Sequence, residues 1–144
     1  MNISIHFITS ILLAAGLYQL IGLYSLWIIV GGYLIDFDHY LWTAFKDKSL
    51  SLKKSYHYHF NRQKNEKYER DILHIFHTGE FWTFMIIASI ISYRNNWIFF
   101  YYMFTITFLG MLLHLTLDFT SILRAGHLNA RAISLTGWIR RHKK

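Results

Sequence analysis

Three short groups of histidine and acidic residues have the side chains and the spacing of metal-ligand sets. The groups are Asp36-x-Asp38-His39, His74-x-x-His77-x-x-Glu80 and His114-x-x-x-Asp118, and a further histidine, His6, lies near the N-terminus. Imidazole nitrogens and carboxylate oxygens both bind divalent cations well. Acids beside apolar segments are costly to desolvate, so they need a cationic partner. The pattern predicts a site for one to three divalent ions.

The chain contains no cysteine, so disulfides and thiolate metal sites are excluded. Any ion must be held by histidine, aspartate, glutamate or backbone oxygen, which suits Zn²⁺ and also Mn²⁺ or Fe²⁺. Each group also has a simpler interpretation without a metal. The first could be a polar helix end at the water interface, the third a buried hydrogen-bonded pair, and His6 a contact between helices.

Long uncharged segments surround these groups and predict membrane-spanning helices. No Lys, Arg, Asp or Glu occurs at positions 2–35, 81–93 or 95–117. Hydrophobic residues make up 53% of the chain and charged residues 16%, which is more apolar than an ordinary soluble domain. Several apolar helices in so short a chain would leave nothing to cover them. The sequence therefore predicts an all-α fold, a four-helix transmembrane bundle.

The first uncharged segment is too long for one span. A straight helix of that length would reach about 50 Å, against a hydrocarbon core of about 30 Å. Gln19 and Gly22 interrupt it, and the N-terminus lacks the basic region of a signal peptide, so the first helix is expected to be retained. The predicted helices of the membrane domain, residues 1–123, are 3–18, 23–35 or slightly beyond, 72–93 and 97–123.

Lys and Arg are concentrated in a polar insertion at 43–71 and in a tail at 124–144. The positive-inside rule places both in the cytoplasm, which predicts a multi-pass inner-membrane protein with both termini cytoplasmic. The tail interleaves apolar and basic residues, so it either lies amphipathically on anionic lipid or is a solvated end. The net charge of +7 is interpreted as a consequence of this topology, because the excess Lys and Arg lie in the two segments assigned to the cytoplasm. No nucleic-acid-binding module is recognised, and no nucleic-acid partner is expected.

The ligand groups fall at the cytoplasmic ends of the predicted helices. Counted from the outer turns at about 1.5 Å per residue, one member of each group lies roughly 18–26 Å into the bundle. The members at this depth are His6, Asp36, His77 and His114. A shared depth on four helices indicates a single site to which the whole bundle contributes.

Residues three or four positions apart on a helix share a face, so several pairs could each hold an ion. The pairs are His114–Asp118, His74–His77, His77–Glu80 and Asp36–His39. Helix-borne acid and histidine pairs that face a bundle interior build the di-metal carboxylate proteins. Asp38 would point elsewhere, as a bridging or supporting group. Asp38 and Glu80 are also the candidate general bases for a metal-activated water.

These motifs resemble those of the membrane-bound metal-dependent hydrolases, the LexA-regulated inner-membrane family. The resemblance covers the chain to about Thr120 and rests on His6, Gly31-Gly32, Asp36-Phe37-Asp38-His39, His77-Thr78 and His114-x-x-x-Asp118. The chain departs from the family at Ile35, where a proline is usual, and at Glu80, in a motif that lacks a common arginine. The His-x-x-x-Asp pair is more distantly similar to zinc-dependent phospholipase C and the single-strand-specific nucleases. The resemblance implies phosphoester hydrolysis.

The motifs and the resemblance together predict a metal-dependent hydrolase at the cytoplasmic membrane face. Its expected partners are membrane lipids and an anionic, lipid-like or small-molecule substrate, attracted by the basic insertion. One alternative is a non-enzymatic membrane protein that binds or conducts a cation. Another is a structural bundle in which the polar groups only hydrogen-bond each other. Conduction is disfavoured because the outer halves of the helices carry no ionisable partner.

Overall fold

The computed structural model describes residues 3–64, 72–125 and 132–142. The described part of the chain is mostly helical and contains no β-strand, so the all-α prediction is confirmed. The helices are α1 Ile3–Ile21, α2 Trp27–Gly32, α3 Phe37–Asp47, α4 Leu52–Lys64, α5 Gly79–Arg94, α6 Ile98–Ala125 and α7 Leu135–His142. Three 3-10 turns connect them at Gly22–Leu26, Leu34–Asp36 and Ile75–His77. Positions 65–71 of the predicted insertion, and 126–131 and 143–144 of the predicted tail, lie outside the described residues.

Gly22 reverses the chain between α1 and α2. Its φ of +57° lies in the left-handed region that favours glycine at a helix end. Helix α2 then runs back along α1, so that Ser10 lies against Gly32. The division of the first apolar segment is therefore confirmed, although α1 continues to Ile21 rather than ending at residue 18.

Helices α2 and α6 run in parallel and lie very close together. In the 3-10 turn before α2, Tyr24 stacks on Tyr102 of α6 with ring centroids 4.5 Å apart, and within α2 Gly31 contacts the backbone of Thr107. A Cβ atom on Gly31 would overlap the Thr107 carbonyl oxygen, and one on Gly110 would overlap a backbone oxygen of α2. Small residues thus allow the two backbones to touch.

Helices α5 and α6 form an antiparallel hairpin. Asn96, with a φ of +56°, turns the chain within the predicted polar turn. Ser89 and Thr105 are joined by a hydrogen bond of 2.6 Å between their hydroxyl groups. Nearer the other end of the hairpin, Met85 of α5 belongs to the same buried apolar cluster as Met111 of α6. Helices α1, α2 and α5 therefore each pack against α6.

Two of the predicted helices have different ends in the structure. The predicted helix 23–35 stops at Gly32, because two successive glycines have poor helix propensity and Tyr33 leaves the helical conformation. The predicted helix 72–93 begins only at Gly79, because Thr78 is extended and its hydroxyl accepts a hydrogen bond from the Phe81 N–H. Both differences fall at residues of the predicted metal site.

Two segments, Ile3–Lys46 and Ile98–Ser121, are long and apolar enough to cross a membrane. The core helix of a soluble protein would be mostly buried. Here only 17% and 22% of the most apolar stretches are buried inside the protein. The outward-facing residues include Ile8, Leu12, Leu20, Leu26, Phe99 and Leu112. An apolar surface of this extent is typical of a protein that faces lipid.

Candidate metal centre

Eight of the nine predicted ligands meet at one end of the helix bundle. Helix α1, the α2–α3 junction, the segment before α5 and helix α6 each contribute at least one. The eight residues are His6, Asp36, Asp38, His39, His74, His77, His114 and Asp118. We refer to them as the cluster. All are buried except Asp36 and His39, whose side chains are 18% and 28% exposed, so the cluster opens on their side.

The 3-10 turn Leu34–Asp36 directs Asp36 and Asp38 into the same cluster. Residues two positions apart on a continuous helix do not face each other, and Asp38 was expected to point away. The chain instead leaves α2 at Tyr33, with φ of −127°, and α3 begins at Phe37. This break rotates α3 so that Asp38 is only 4% exposed and contacts three imidazole rings.

Asp38 connects two parts of the cluster through its two carboxylate oxygens. Oδ2 accepts hydrogen bonds from the Phe76 N–H at 3.1 Å and from His77 Nδ1 at 3.0 Å. Oδ1 lies 2.9 Å from His39 Nδ1 and 3.5 Å from His74 Nδ1. A carboxylate that accepts the N–H of an imidazole fixes its tautomer and makes the other nitrogen a better ligand. Asp38 therefore turns Nε2 of His77 towards the cluster as an acceptor.

His74 and His77 reach the cluster from a non-helical segment. His74 is extended, with φ of −110° and ψ of 102°, and His77 closes the 3-10 turn before α5. The predicted helical spacing between these two histidines is therefore wrong, although both contact Asp38. Burial lowers the pKa of His74 to about 3, so this ring is neutral at pH 7 and keeps a lone pair for a metal.

Glu80 is the predicted ligand that the structure does not bring to the cluster. Because α5 begins at Gly79, Glu80 and His77 do not share a helix face. The Glu80 carboxylate accepts hydrogen bonds from the Ser134 hydroxyl at 2.7 Å and from the N–H groups of Thr136 and Leu135. The position of Glu80 does not support its predicted role as ligand or general base.

His114 lies at the middle of the cluster. Its Nδ1 donates to the carbonyl oxygen of Gly32 at 3.0 Å, and since a carbonyl only accepts, Nδ1 carries the proton. The lone pair of Nε2 then faces Asp36 Oδ1 at 3.3 Å and Asp118 Oδ2 at 3.5 Å. The close approach of α2 and α6 makes these contacts possible.

The Nε2 atoms of His77 and His114 are 3.2 Å apart. Each ring uses its Nδ1 hydrogen elsewhere, so two lone pairs face each other in a buried place. Either an added proton or a cation between them removes the repulsion. Two nitrogens bound tetrahedrally at about 2.0–2.1 Å from Zn²⁺ would lie about 3.3 Å apart. The observed distance fits a cation shared by the two rings.

His6 is the cluster residue that α1 contributes. Its ring stacks on His114 with centroids 3.9 Å apart, and its Nε2 lies 3.2 Å from Asp118 Oδ1. Its Nδ1 is buried and has no hydrogen-bond partner among the described residues. The hydrogen bonding of His6 is therefore incomplete at Nδ1.

The cluster divides into three ligand groups, in each of which the ligand atoms lie within 4.8 Å of one another. The groups are Asp36–His77–His114, His6–His114–Asp118 and Asp38–His39–His74. His114 belongs to the first two groups, and its Nε2 has a single lone pair, so it can bind only one ion. The described residues therefore accommodate about two ions at once, within the predicted range of one to three.

The fold and the cluster define an all-helical protein with a buried histidine–aspartate site whose donors suit a divalent metal. Comparisons of the chain with protein-family models, with curated proteins and with solved structures found no match. The resemblance to the membrane-bound metal-dependent hydrolases therefore rests on the motifs quoted above.

Replacing Asp38 with asparagine is expected to weaken zinc binding by about 10- to 100-fold, the usual cost of losing a carboxylate that orients a metal-binding imidazole. Asparagine can accept from His77 through one atom only, and its amide group would face the other donors. Competition with a chromophoric chelator in detergent would measure the affinity. Affinity equal to that of the wild type would show that Asp38 does not orient His77.

Proposed function

We propose that this chain is an integral membrane hydrolase that depends on a divalent metal, most suitably Zn²⁺, and cleaves a phosphoester in an anionic, lipid-like substrate. The observation that carries the proposal is the pair of Nε2 atoms 3.2 Å apart in His77 and His114. Both rings are held by hydrogen bonds through their other nitrogen, and Asp36 lies beside them. Preorganised donors of this kind are expected of a metal site.

His77, His114 and Asp36 would hold the ion, since the two facing Nε2 atoms and the partly exposed Asp36 belong to one ligand group. A divalent ion bound there supplies Lewis-acid activation of water and of the substrate oxygen. Three protein ligands leave a position open for substrate, as in catalytic zinc sites. Asp118 and His6 support the group from the α6 and α1 side.

His39 is the residue best placed to accept a proton from the attacking water. It is half-buried at the open side of the cluster, and the carboxylate of Asp38 orients its Nδ1 at 2.9 Å. An imidazole held by a carboxylate is an effective general base. Asp38, one of the two predicted bases, is occupied by these contacts and acts through His39 in this proposal.

The substrate is proposed to be lipid-like because the cluster opens beside an apolar surface. Asp36, the partly exposed acid, lies between Leu34 and Phe37, each of which is 51% exposed. Such side chains at the mouth of a site favour acyl or prenyl chains over a free water-soluble ester. Basic residues of α3 and α4, including Lys46 and Lys54, would attract an anionic headgroup.

We further propose that four helices span the membrane, with the cluster at the cytoplasmic boundary and both termini in the cytoplasm. The charge distribution and the exposed apolar faces of the long helices support this topology. A cysteine introduced at Lys53 is expected to be labelled from the cytoplasmic side only, whereas one introduced at Asn96 is labelled from outside. Labelling of position 53 from outside would contradict this topology.

The function is tested by hydrolysis assays on the full-length protein in detergent or vesicles. Phosphatidic acid and a prenyl phosphate would be supplied with Zn²⁺, Mn²⁺ or Fe²⁺, and phosphate release would be measured. The wild type is expected to be active, to lose activity with a chelator and to regain it with metal. His77→Ala should be inactive, and equal activity in both proteins would reject the proposed site.

The burial of most of the cluster favours a second candidate, a membrane protein that binds a metal without catalysis. An ion enclosed on most sides is held firmly and exchanges slowly with substrate oxygens. Stoichiometric metal together with no hydrolysis of any phosphoester tested would support this alternative over the hydrolase.

A further inference from the structure

The C-terminal segment 132–136 contacts both ends of the segment that carries His74 and His77. The Ala132 N–H donates to the carbonyl oxygen of Ile72 at 3.0 Å, and the Gly79 N–H donates to that of Ile133 at 2.9 Å. These two backbone hydrogen bonds are made at opposite ends of the 72–79 segment. We refer to residues 132–136 as the strap.

Glu80 fastens the strap to the start of α5. Its carboxylate accepts hydrogen bonds from the hydroxyl groups of Ser134 and Thr136, at 2.7 and 2.8 Å, and from the N–H groups of Leu135 and Thr136. The N–H groups at the N-terminus of α7 lack partners within the helix, and a carboxylate there is favourable. Glu80 thus caps α7, while the strap carbonyl of Ile133 accepts from the first residue of α5.

The strap is buried at its first residue, whereas Ile133 and Thr136 are exposed. Ala132 is 2% exposed and its partner Ile72 is 1% exposed. Beyond the strap, Trp138 of α7 contacts Trp42 of α3, the helix that begins next to Asp38. The contacts of the C-terminal segment are therefore made to the two parts of the chain that supply most of the ligands.

The 72–78 segment depends on its neighbours for its shape, because it is not part of a regular helix. On one side Asp38 accepts from the N–H of Phe76 and from His77. On the other side the strap binds Ile72 and Gly79. A ligand-bearing segment held from two sides keeps its imidazoles in place before the ion arrives.

We propose that the strap holds the ligands His74 and His77 in the positions needed to bind the metal. Glu80 is then a positioning residue, which acts on both histidines through the 72–80 segment. The inference rests on the proposed metal centre, and it gives Glu80 a role other than ligand or base. It also makes the C-terminal segment, which lies beyond the motifs of the resemblance, necessary for full metal affinity.

The test compares full-length wild type with Glu80→Ala, which removes all four contacts to the strap, and with a Ser134→Ala/Thr136→Val double variant, which removes the two hydroxyl contacts from the strap side. Thr83→Ala is the matched control, because Thr83 is exposed on α5 and its hydroxyl bonds only within the helix, to Gly79. Amide hydrogen exchange of residues 72–80 is measured without metal. Affinity for Zn²⁺ and the visible spectrum of the Co²⁺ form are measured with metal.

Both strap variants are expected to exchange the 72–80 amides at least about tenfold faster and to bind Zn²⁺ about tenfold more weakly, with an altered Co²⁺ spectrum, while Thr83→Ala matches the wild type. Wild-type exchange and affinity in both strap variants would overturn the proposal. Faster exchange with unchanged affinity and spectrum would also overturn it, because the strap would then be structural only. Failure of the wild type itself to bind metal would refute the metal centre, and with it the positioning role, whatever the exchange shows.

Discussion

The His114→Ala variant is expected to bind at most one ion per chain and to lose hydrolytic activity by more than about 100-fold. Loss of a carboxylate that supports a metal ligand usually lowers metal affinity or activity about 10- to 100-fold. His114 is itself a ligand in the proposal, so its loss should cost more. It belongs to two of the three ligand groups, and its Nε2 lies within 3.5 Å of Asp36, His77 and Asp118. Its removal leaves only the group around Asp38 complete.

Metal analysis of the purified variant would give the stoichiometry, and phosphate release would give the activity. His57→Ala is the matched control, since His57 is exposed on α4 and belongs to none of the three ligand groups. It should keep both the metal and the activity of the wild type. A His114→Ala protein that retained two ions per chain would show that the ions lie elsewhere.

The Gly31→Ala variant is expected to be destabilised by about 1–3 kcal/mol or more and to lose metal affinity at the same time. The added Cβ atom would overlap the carbonyl oxygen of Thr107 and approach the N atom of Met111, and neither backbone atom can rotate away. Helices α2 and α6 would have to separate. That separation would draw Asp36 away from His114, which it now approaches to 3.3 Å.

Thermal unfolding in detergent, together with zinc titration, would measure both effects. Gly16→Ala provides the control, because Gly16 is exposed on α1 and a Cβ atom there would meet nothing within 4 Å. That substitution should leave metal binding unchanged and stabilise the helix by about 0.5–1 kcal/mol. If Gly31→Ala behaved like Gly16→Ala, the close approach of the helices would not support the cluster.

The sequence predicted the composition of the cluster better than its local geometry. Counting residues from the two outer turns placed His6, Asp36, His77 and His114 at one depth, and the structure brings all four together. This prediction worked because a helix has a fixed rise, so depth follows from position alone. The helical class and the antiparallel first hairpin followed from the same apolar pattern.

Local geometry was harder to predict where the helices are interrupted. Thr78 before an acidic first turn is a recognisable N-cap signal, and it could have placed the start of α5 correctly. Gly31 and Gly32 are a recognisable weak point in the helix before Tyr33, but they do not specify how the chain turns there. There the conformation is set by contacts with α1 and α6, which make Gly31 and Gly32 part of a helix interface. Asp38 therefore faces the cluster because of contacts between helices, which cannot be read from the spacing of neighbouring residues.

Glu80 shows a different limit of sequence reasoning. Its spacing from His77 matched a ligand pair, but its partners are Ser134, Leu135 and Thr136, more than fifty positions away. A short motif around one residue cannot predict contacts with residues so far away in the sequence. The same applies to the strap, since the tail was predicted only as an amphipathic or solvated segment.

The wide separation of the ligands along the chain has a consequence for how the protein is made. His6 belongs to α1, which leaves the ribosome before α6, the helix that carries His114 and Asp118. Synthesis proceeds at about 5–20 residues per second, so the early hairpin exists for several seconds without its α6 partners. The centre is therefore completed only when α6 and then the strap have been added. In the proposed metal centre, an ion would therefore bind to the assembled bundle rather than to the nascent chain.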